Sequence, residues 1–215
     1  MVNILPTPPN LITESWIPAS WEGFLAIVNR PELEQARCYY DAGWMRVETV
    51  PIGFAHGRDN AVLASVVSLY ATLKDLPFLS MTNGSFRKAG EQECQPDLAF
   101  YIGAELPDIP RSNSPVDLNL YTPPALVIEV ASTTLSDDLG QKRLLYERLG
   151  VREYWVVNVE AAAIVAFAVA DGGSRQIQVS AVLSGLFLSV VEEALRRSQS
   201  EDDGAVNRWL LQQFR

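Results

Sequence analysis

The segment 123–160, PPALVIEVASTTLSDDLGQKRLLYERLGVREYWVVNVE, decides how this chain is read. Ala125–Ala131 is a near-continuous apolar run, the pattern of a central strand covered on both faces. Glu129 interrupts that run. A carboxylate is costly to bury among apolar side chains, so it needs a partner, a cation or a shifted pKa. A helix is expected to follow, capped by Thr134 or Ser136, with Asp137 and Asp138 at its positive N-terminus and Gly150 at its end. Asp138, Lys142 and Tyr146 are four residues apart and share one face of it. Tyr154–Val159 then reads as the next strand.

Upstream, QPDLAFYI at 95–102 is a second apolar strand with an acidic residue, Asp97, at its start. If the two strands are neighbours, Asp97 and Glu129 converge, and the backbone carbonyl of Val130 lies beside them. Carboxylate and carbonyl oxygens are the donors that magnesium or manganese prefers. Phosphodiester cleavage needs such a hard cation to neutralise developing charge and lower the pKa of an attacking water. Lys142 could orient or deprotonate that water, or offset phosphate charge, if its helix face looks back at the strand ends. If the face looks to water, Asp138 and Lys142 are a surface pair worth a few tenths of a kcal/mol, roughly.

Around this centre the chain alternates helices and strands. Ser20–Arg30 is an amphipathic helix from a serine cap to Pro31, preceded by a proline-rich extended arm over residues 1–20. Strands are expected on either side of Ala42-Gly43. Asp59 is the expected cap of a helix whose apolar face runs from Val62 to Leu73 and packs on a sheet. Phe78–Met81 is a short strand, Asn83-Gly84 a turn, and residues 103–124 a long proline-containing loop. Ala162–Ala170, Gln176–Val182 and Leu186–Leu188 read as strands, and Val190–Arg197 and Ala205–Phe214 as helices. The order predicts a mixed α/β fold of the α+β type, with helices flanking a curved central sheet. Its 215 residues suit a single domain, with an arm and helix over 1–38, a core over 39–182 and a helical extension over 183–215.

Composition excludes several classes. The net charge of -9 argues against a general nucleic-acid binder, which carries a broad basic surface, though not against a nuclease with local cations around a metal. His56 is the one histidine, so sites built on two histidines are excluded, and with it a serine-hydrolase triad at Ser132 has little support. No phosphate-binding loop and no dinucleotide fingerprint occurs, so no nucleotide cofactor is expected. Cys38 and Cys94 form no disulfide or zinc pattern. No basic segment leads into an apolar run, and no run is long enough to span a bilayer, so the expectation is a cytoplasmic protein without membrane contact.

The stretches QPDLAFYIG and 123–160, with GFAHGRDNAVLASVVSLYATL before them, resemble the Uma-type restriction endonuclease family of the PD-(D/E)XK nuclease superfamily. The resemblance runs from about Tyr39 to Val182. It implies a restriction-endonuclease-like core, a magnesium or manganese cofactor, DNA as substrate and a homodimer. Asp97 matches the aspartate of the first half-motif and Glu129 the acid of the second. The lysine usual two residues after that acid is absent, position 131 being Ala131, and the resemblance implies Lys142 in its stead. His56, Glu48, Asp138 and Tyr146 are accessory candidates, and Arg87, Lys88, Arg143 and Arg148 candidate phosphate contacts. Tyr146, Tyr154 and Trp155 could stack on bases or fill the core. A nuclease-fold domain without efficient catalysis, acting as a binding or regulatory module, is the alternative; a hydrolase of small phosphoesters is a third reading.

Overall fold

Strand β9, Leu126–Ala131, runs through the middle of the protein and is buried at every position. The computed structural model describes residues 13–49 and 53–215, so the first twelve residues of the proline-rich arm lie outside it. In chain order the elements are β1 Ile17–Pro18, α1 Trp21–Val28, a 3-10 turn at Pro31–Leu33, β2 Arg37–Asp41, β3 Trp44–Glu48, α2 Phe54–Leu73, β4 Phe78–Thr82, β5 Phe86–Lys88, β6 Gln92–Cys94 and β7 Leu98–Ile102. Then come β8 Val116–Asp117, β9, α3 Leu135–Asp138, α4 Gln141–Leu149, β10 Glu153–Asn158, β11 Ala163–Ala170, β12 Gly173–Ile177, α5 Leu188–Ser198 and α6 Asp203–Gln213.

The described strands form two six-stranded sheets. The first has the order β12-β11-β10-β9-β7-β4. Only the β9–β10 pair in it is parallel, so the sheet is mixed, as expected. The second, β1-β3-β2-β6-β5-β8, is an addition to the single sheet read from sequence. Its β5 and β6 are three residues each, too short to show an alternating pattern, and they occupy the stretch read only as a turn and a basic cluster.

Alternation along β9 divides the interior in two. Leu126, Ile128 and Val130 face a core shared with Val62, Leu63, Val66 and Val67 of α2 and with α5 and α6. Each such side chain contributes roughly 1.5–3 kcal/mol by leaving water. Val127 and Ala131 face the other way, toward α4 and the second sheet, in a core that holds Tyr39, Tyr146 and Tyr154. Glu129 lies between them in sequence and projects to that same side. The C-terminal helices pack on the face covered by α2, sharing its core.

Helix α2 begins earlier than its apolar pattern. Gly53 is its N-cap, and Asp59, expected to cap it, is a buried residue inside it. The first two turns carry His56 and Asp59 inward and leave Phe54, Ala55 and Gly57 exposed, so apolar periodicity starts only where the helix meets the sheet. The helix expected after β9 is broken into α3 and α4 at Gly140, where a Cβ would stand 2.8 Å from the Ser136 carbonyl oxygen. It ends, as expected, at Gly150 in the left-handed conformation. Leu186–Leu188 is no strand; Val179 and Phe187 make an isolated bridge instead. Among the described residues no helix is long and apolar enough to cross a membrane.

Candidate active site

Strand β7 pairs with β9 from Leu98 opposite Ile128 to Phe100 opposite Leu126. Pairing stops there, and the edge of β9 beyond Ile128 is met by a side chain instead: Asp97 Oδ2 accepts from the Val130 amide at 2.7 Å. In an extended strand the N–H and C=O of one residue point to the same side. The Val130 carbonyl therefore also faces the Asp97 side. A cavity of about 400 Å³ opens here, lined among others by Asp97, Glu129, Lys142, Glu48, His56 and Arg37.

Asp97 is almost fully enclosed. Its Oδ1 lies 2.9 Å from His56 Nε2 and 2.5 Å from an Arg37 terminal nitrogen. Burial works to raise its pKa, but the His56 hydrogen bond, the Arg37 charge and the Val130 amide outweigh burial and hold it at about 2. Arg37 also donates to Asn83 Oδ1 at 3.0 Å. Burial opposes the guanidinium charge, yet Asp97 leaves its pKa raised.

Glu129 has a weaker set of partners. Oε1 accepts from the Tyr146 hydroxyl at 2.7 Å, and Lys142 Nζ stands at 4.0 Å. Burial pushes its pKa well up; Lys142 pulls it down, and Asp97 and Asp138 push it further up. The Lys142 ammonium lies between three acids, 2.9 Å from Glu48, 3.0 Å from Asp138 and 4.0 Å from Glu129, and 4.3 Å from the centre of the Tyr39 ring. Burial disfavours its charge, but Glu129, Asp138 and Glu48 more than compensate, so its pKa is raised. Glu48 is lowered despite burial, by Lys142 and Arg46.

The break at Gly140 does not undo the shared face of Asp138, Lys142 and Tyr146: all three turn toward Glu129, Asp138 through Lys142. Thr134 takes the N-cap position of α3, as expected, but its side chain bonds no backbone amide there and instead donates its hydroxyl to Asp138 Oδ2 at 2.6 Å. Asp97, Glu129, Val130, Lys142, His56 and Glu48, each singled out from sequence, thus line one cavity, with Asp138 and Tyr146 just behind it. The candidate phosphate contacts lie elsewhere and are engaged. Arg87 is paired with Glu93, Lys88 with Glu91 and Arg148 with Asp41, while Arg143 is 3.7 Å from Glu147 and over the Phe167 ring. Tyr146, Tyr154 and Trp155 are core residues.

Two participants escape sequence reasoning. Arg37 and Arg46 begin and punctuate the two strands of a hairpin, where a basic residue reads as a solvated strand position. Arg46 in fact bridges Glu48 and Asp137 at 2.8 and 3.4 Å.

The donor set suits a hard divalent cation. Asp97, Glu129 and Asp138 are three buried carboxylates and Glu48 a partly buried fourth, against the cations of Lys142, Arg37 and Arg46, so carboxylates outnumber cations in the cluster. Glu129, whose charge burial disfavours, is the group a cation would relieve. Asp97, Glu129 and the Val130 carbonyl could hold it. Among the described residues, however, no three acidic, histidine or cysteine side chains already stand at ligand spacing, and Arg37 occupies Asp97 Oδ1.

Residues 21–200 match the Uma2 family, described as "Putative restriction endonuclease", and the chain belongs to that family. A solved structure from Anabaena variabilis, described as a "putative nuclease belonging to DUF820", has the same fold: TM-score 0.57 at 17% identity, over 90% of this chain and 100% of that one. The mixed α/β architecture and the family resemblance read from sequence both stand. No curated protein matches the chain.

Proposed function

We propose that this protein is a nuclease that hydrolyses DNA phosphodiester bonds with magnesium or manganese at the Asp97–Glu129–Lys142 cavity. The observation that carries the reading is Lys142. A buried lysine on α4 stands 4.0 Å from Glu129, the acid after which the superfamily's usual lysine is replaced by Ala131, in a chain of the Uma2 family.

A bound cation would supply charge neutralisation at the phosphate and a lowered pKa for the attacking water. Asp97 and Glu129 would hold it, with the Val130 carbonyl. Tyr146 fixes the orientation of the Glu129 carboxyl through a 2.7 Å hydrogen bond. Lys142 remains an ammonium, because three carboxylates surround it. It therefore donates hydrogen bonds and offsets phosphate charge and does not take the proton from water. Glu48 and Asp138 position that ammonium. With a net charge of -9, attraction for a polyanion depends on these few local groups, and binding is strongly salt-sensitive. A homodimer, one cavity for each strand, fits cutting of a duplex in the cytoplasm.

The test is cleavage of supercoiled and linear DNA, with RNA in parallel, by wild type and Asp97→Asn. Wild type is expected to cut DNA only with magnesium or manganese, and the variant to be about 100-fold slower or worse. Nucleic-acid binding without any cleavage by wild type, under either metal, would replace the enzyme with a binding module.

A further inference from the structure

We propose that Arg37 is the internal counter-ion that a divalent cation displaces from Asp97, and that the released guanidinium then receives the substrate phosphate. This rests on the reading of the cavity as a nuclease site. Asp97 holds three donors: the Val130 amide on Oδ2 at 2.7 Å, and both His56 at 2.9 Å and Arg37 at 2.5 Å on Oδ1, which leaves one lone pair free on Oδ2 and none on Oδ1. A cation that takes Oδ1, or that chelates both oxygens, needs one of those donors to yield. The amide is fixed in strand β9, and His56 is held in helix α2. Arg37 is the donor with room to move.

Its surroundings differ from those of the other two cations of the cluster. The Lys142 side chain is 2% exposed and touches three acids. Arg46 is 6% exposed and bonded to Glu48 and to the Glu14 carbonyl. Arg37 is 15% exposed, sits at the first residue of β2 and lines the cavity. Beyond Asp97 its partner among the described residues is Asn83, through an exposed hydrogen bond to a turn. Electrostatics gives the motion a direction. A divalent charge beside Asp97 makes the guanidinium surplus and repels it at close range. A phosphate entering the same cavity offers the planar donor fork a new anion. Arg37 thus couples the two ligands: nucleic acid strengthens cation binding by giving the displaced guanidinium a partner, and the coupling is reciprocal.

The coupling is measurable without turnover. Manganese binding to the full chain is followed by the electron paramagnetic resonance signal of the free ion, with and without a short duplex bearing phosphorothioate linkages. Arg37→Gln is expected to bind manganese about tenfold tighter than wild type in the absence of DNA. The duplex should then strengthen manganese binding in wild type by a larger factor than in Arg37→Gln. Should Arg37→Gln fail to fold, Arg37→Lys, with no fork, is expected to bind a few-fold tighter. Manganese affinity of the folded Arg37 variants equal to or weaker than wild type overturns the proposal, as does equal strengthening by DNA. Asp97→Asn separates the two levels of inference. Loss of manganese binding in that variant keeps the nuclease site even if the Arg37 proposal fails, whereas wild-type affinity in it removes both.

Discussion

Two glutamates are buried on neighbouring strands, Glu129 on β9 and Glu153 on β10, at 1% and 0% exposure. They point to opposite faces of the first sheet. Glu153 Oε1 accepts from the Trp155 indole at 2.6 Å, and Oε2 from the amides of Ala181 and Val182 at 2.9 and 3.0 Å. Neutral donors have replaced its water, and the carboxylate pins the segment after β12 onto the core. Glu129 accepts one hydrogen bond, from Tyr146, and shares Lys142 with two other acids. Burial leaves its charge under-compensated, next to a cavity. A satisfied buried carboxylate has its lone pairs taken, whereas an under-satisfied one beside open space still has them to offer.

The sharpest way to break this comparison is to make the same substitution at both positions. Glu129→Gln removes the charge a hard cation needs while keeping an acceptor for Tyr146. Cleavage is expected to fall by about a thousandfold, equivalent to roughly 4 kcal/mol, with stability equal or higher. Calorimetry with magnesium and a urea titration read the two halves. A folded Glu129→Gln with wild-type cation binding would make Glu129 a second structural carboxylate.

Glu153→Gln should do the reverse. The amide cannot accept from the indole and both backbone amides at once, and donors are left buried without partners. The expected cost is about 3 kcal/mol in urea unfolding, with cation affinity unchanged. Loss of cation binding in a folded Glu153→Gln would erase the distinction between the two residues.

The smallest effect is in pH. Asp97 falls from 3.8 to about 2 on folding, so its contribution is complete above the unfolded value and disappears as pH falls through about 2. That amounts to roughly 2 kcal/mol lost between about pH 4 and pH 2, absent in Asp97→Asn. Glu129 has the opposite sign. Its pKa lies well above 4.5, so its folded-state proton favours the fold at low pH, and that stability is lost as pH rises from 4.5 toward the folded value. Glu129→Gln should flatten this second slope, and unfolding free energies of the variants across the acid range measure both.

The sequence is most legible where one residue contradicts its surroundings. Glu129 inside an apolar strand and Asp97 at the head of another are local contradictions, and they pointed to the cavity without any knowledge of the fold. The four-residue spacing from Asp138 to Tyr146 keeps its shared face across the helix break, with Asp138 on Lys142 and Tyr146 on Glu129. Glu153 is as buried as Glu129, yet it adjoins Arg152 and opens its strand, where a charged residue is ordinary. Its three donors come from two residues along the same strand and from amides after β12. Asp59 reads from sequence as a cap, not as an interior helix residue, because the first turns of α2 face a cavity and solvent and not the sheet. Strands β5 and β6 were too short for a period to register.

What the sequence determined by itself was therefore the class of fold, the two acidic strand positions and the helix face that answers them. These follow from burial cost and from the fixed periods of strand and helix, which act over a few residues. Only the tertiary structure decided which acid is satisfied and which is left wanting, that Glu48 joins Lys142, and that Arg37 rests on Asp97. The partners responsible lie tens of residues apart, as Arg37 does from Asp97, and electrostatic compensation is set by distance in space, which no local pattern encodes.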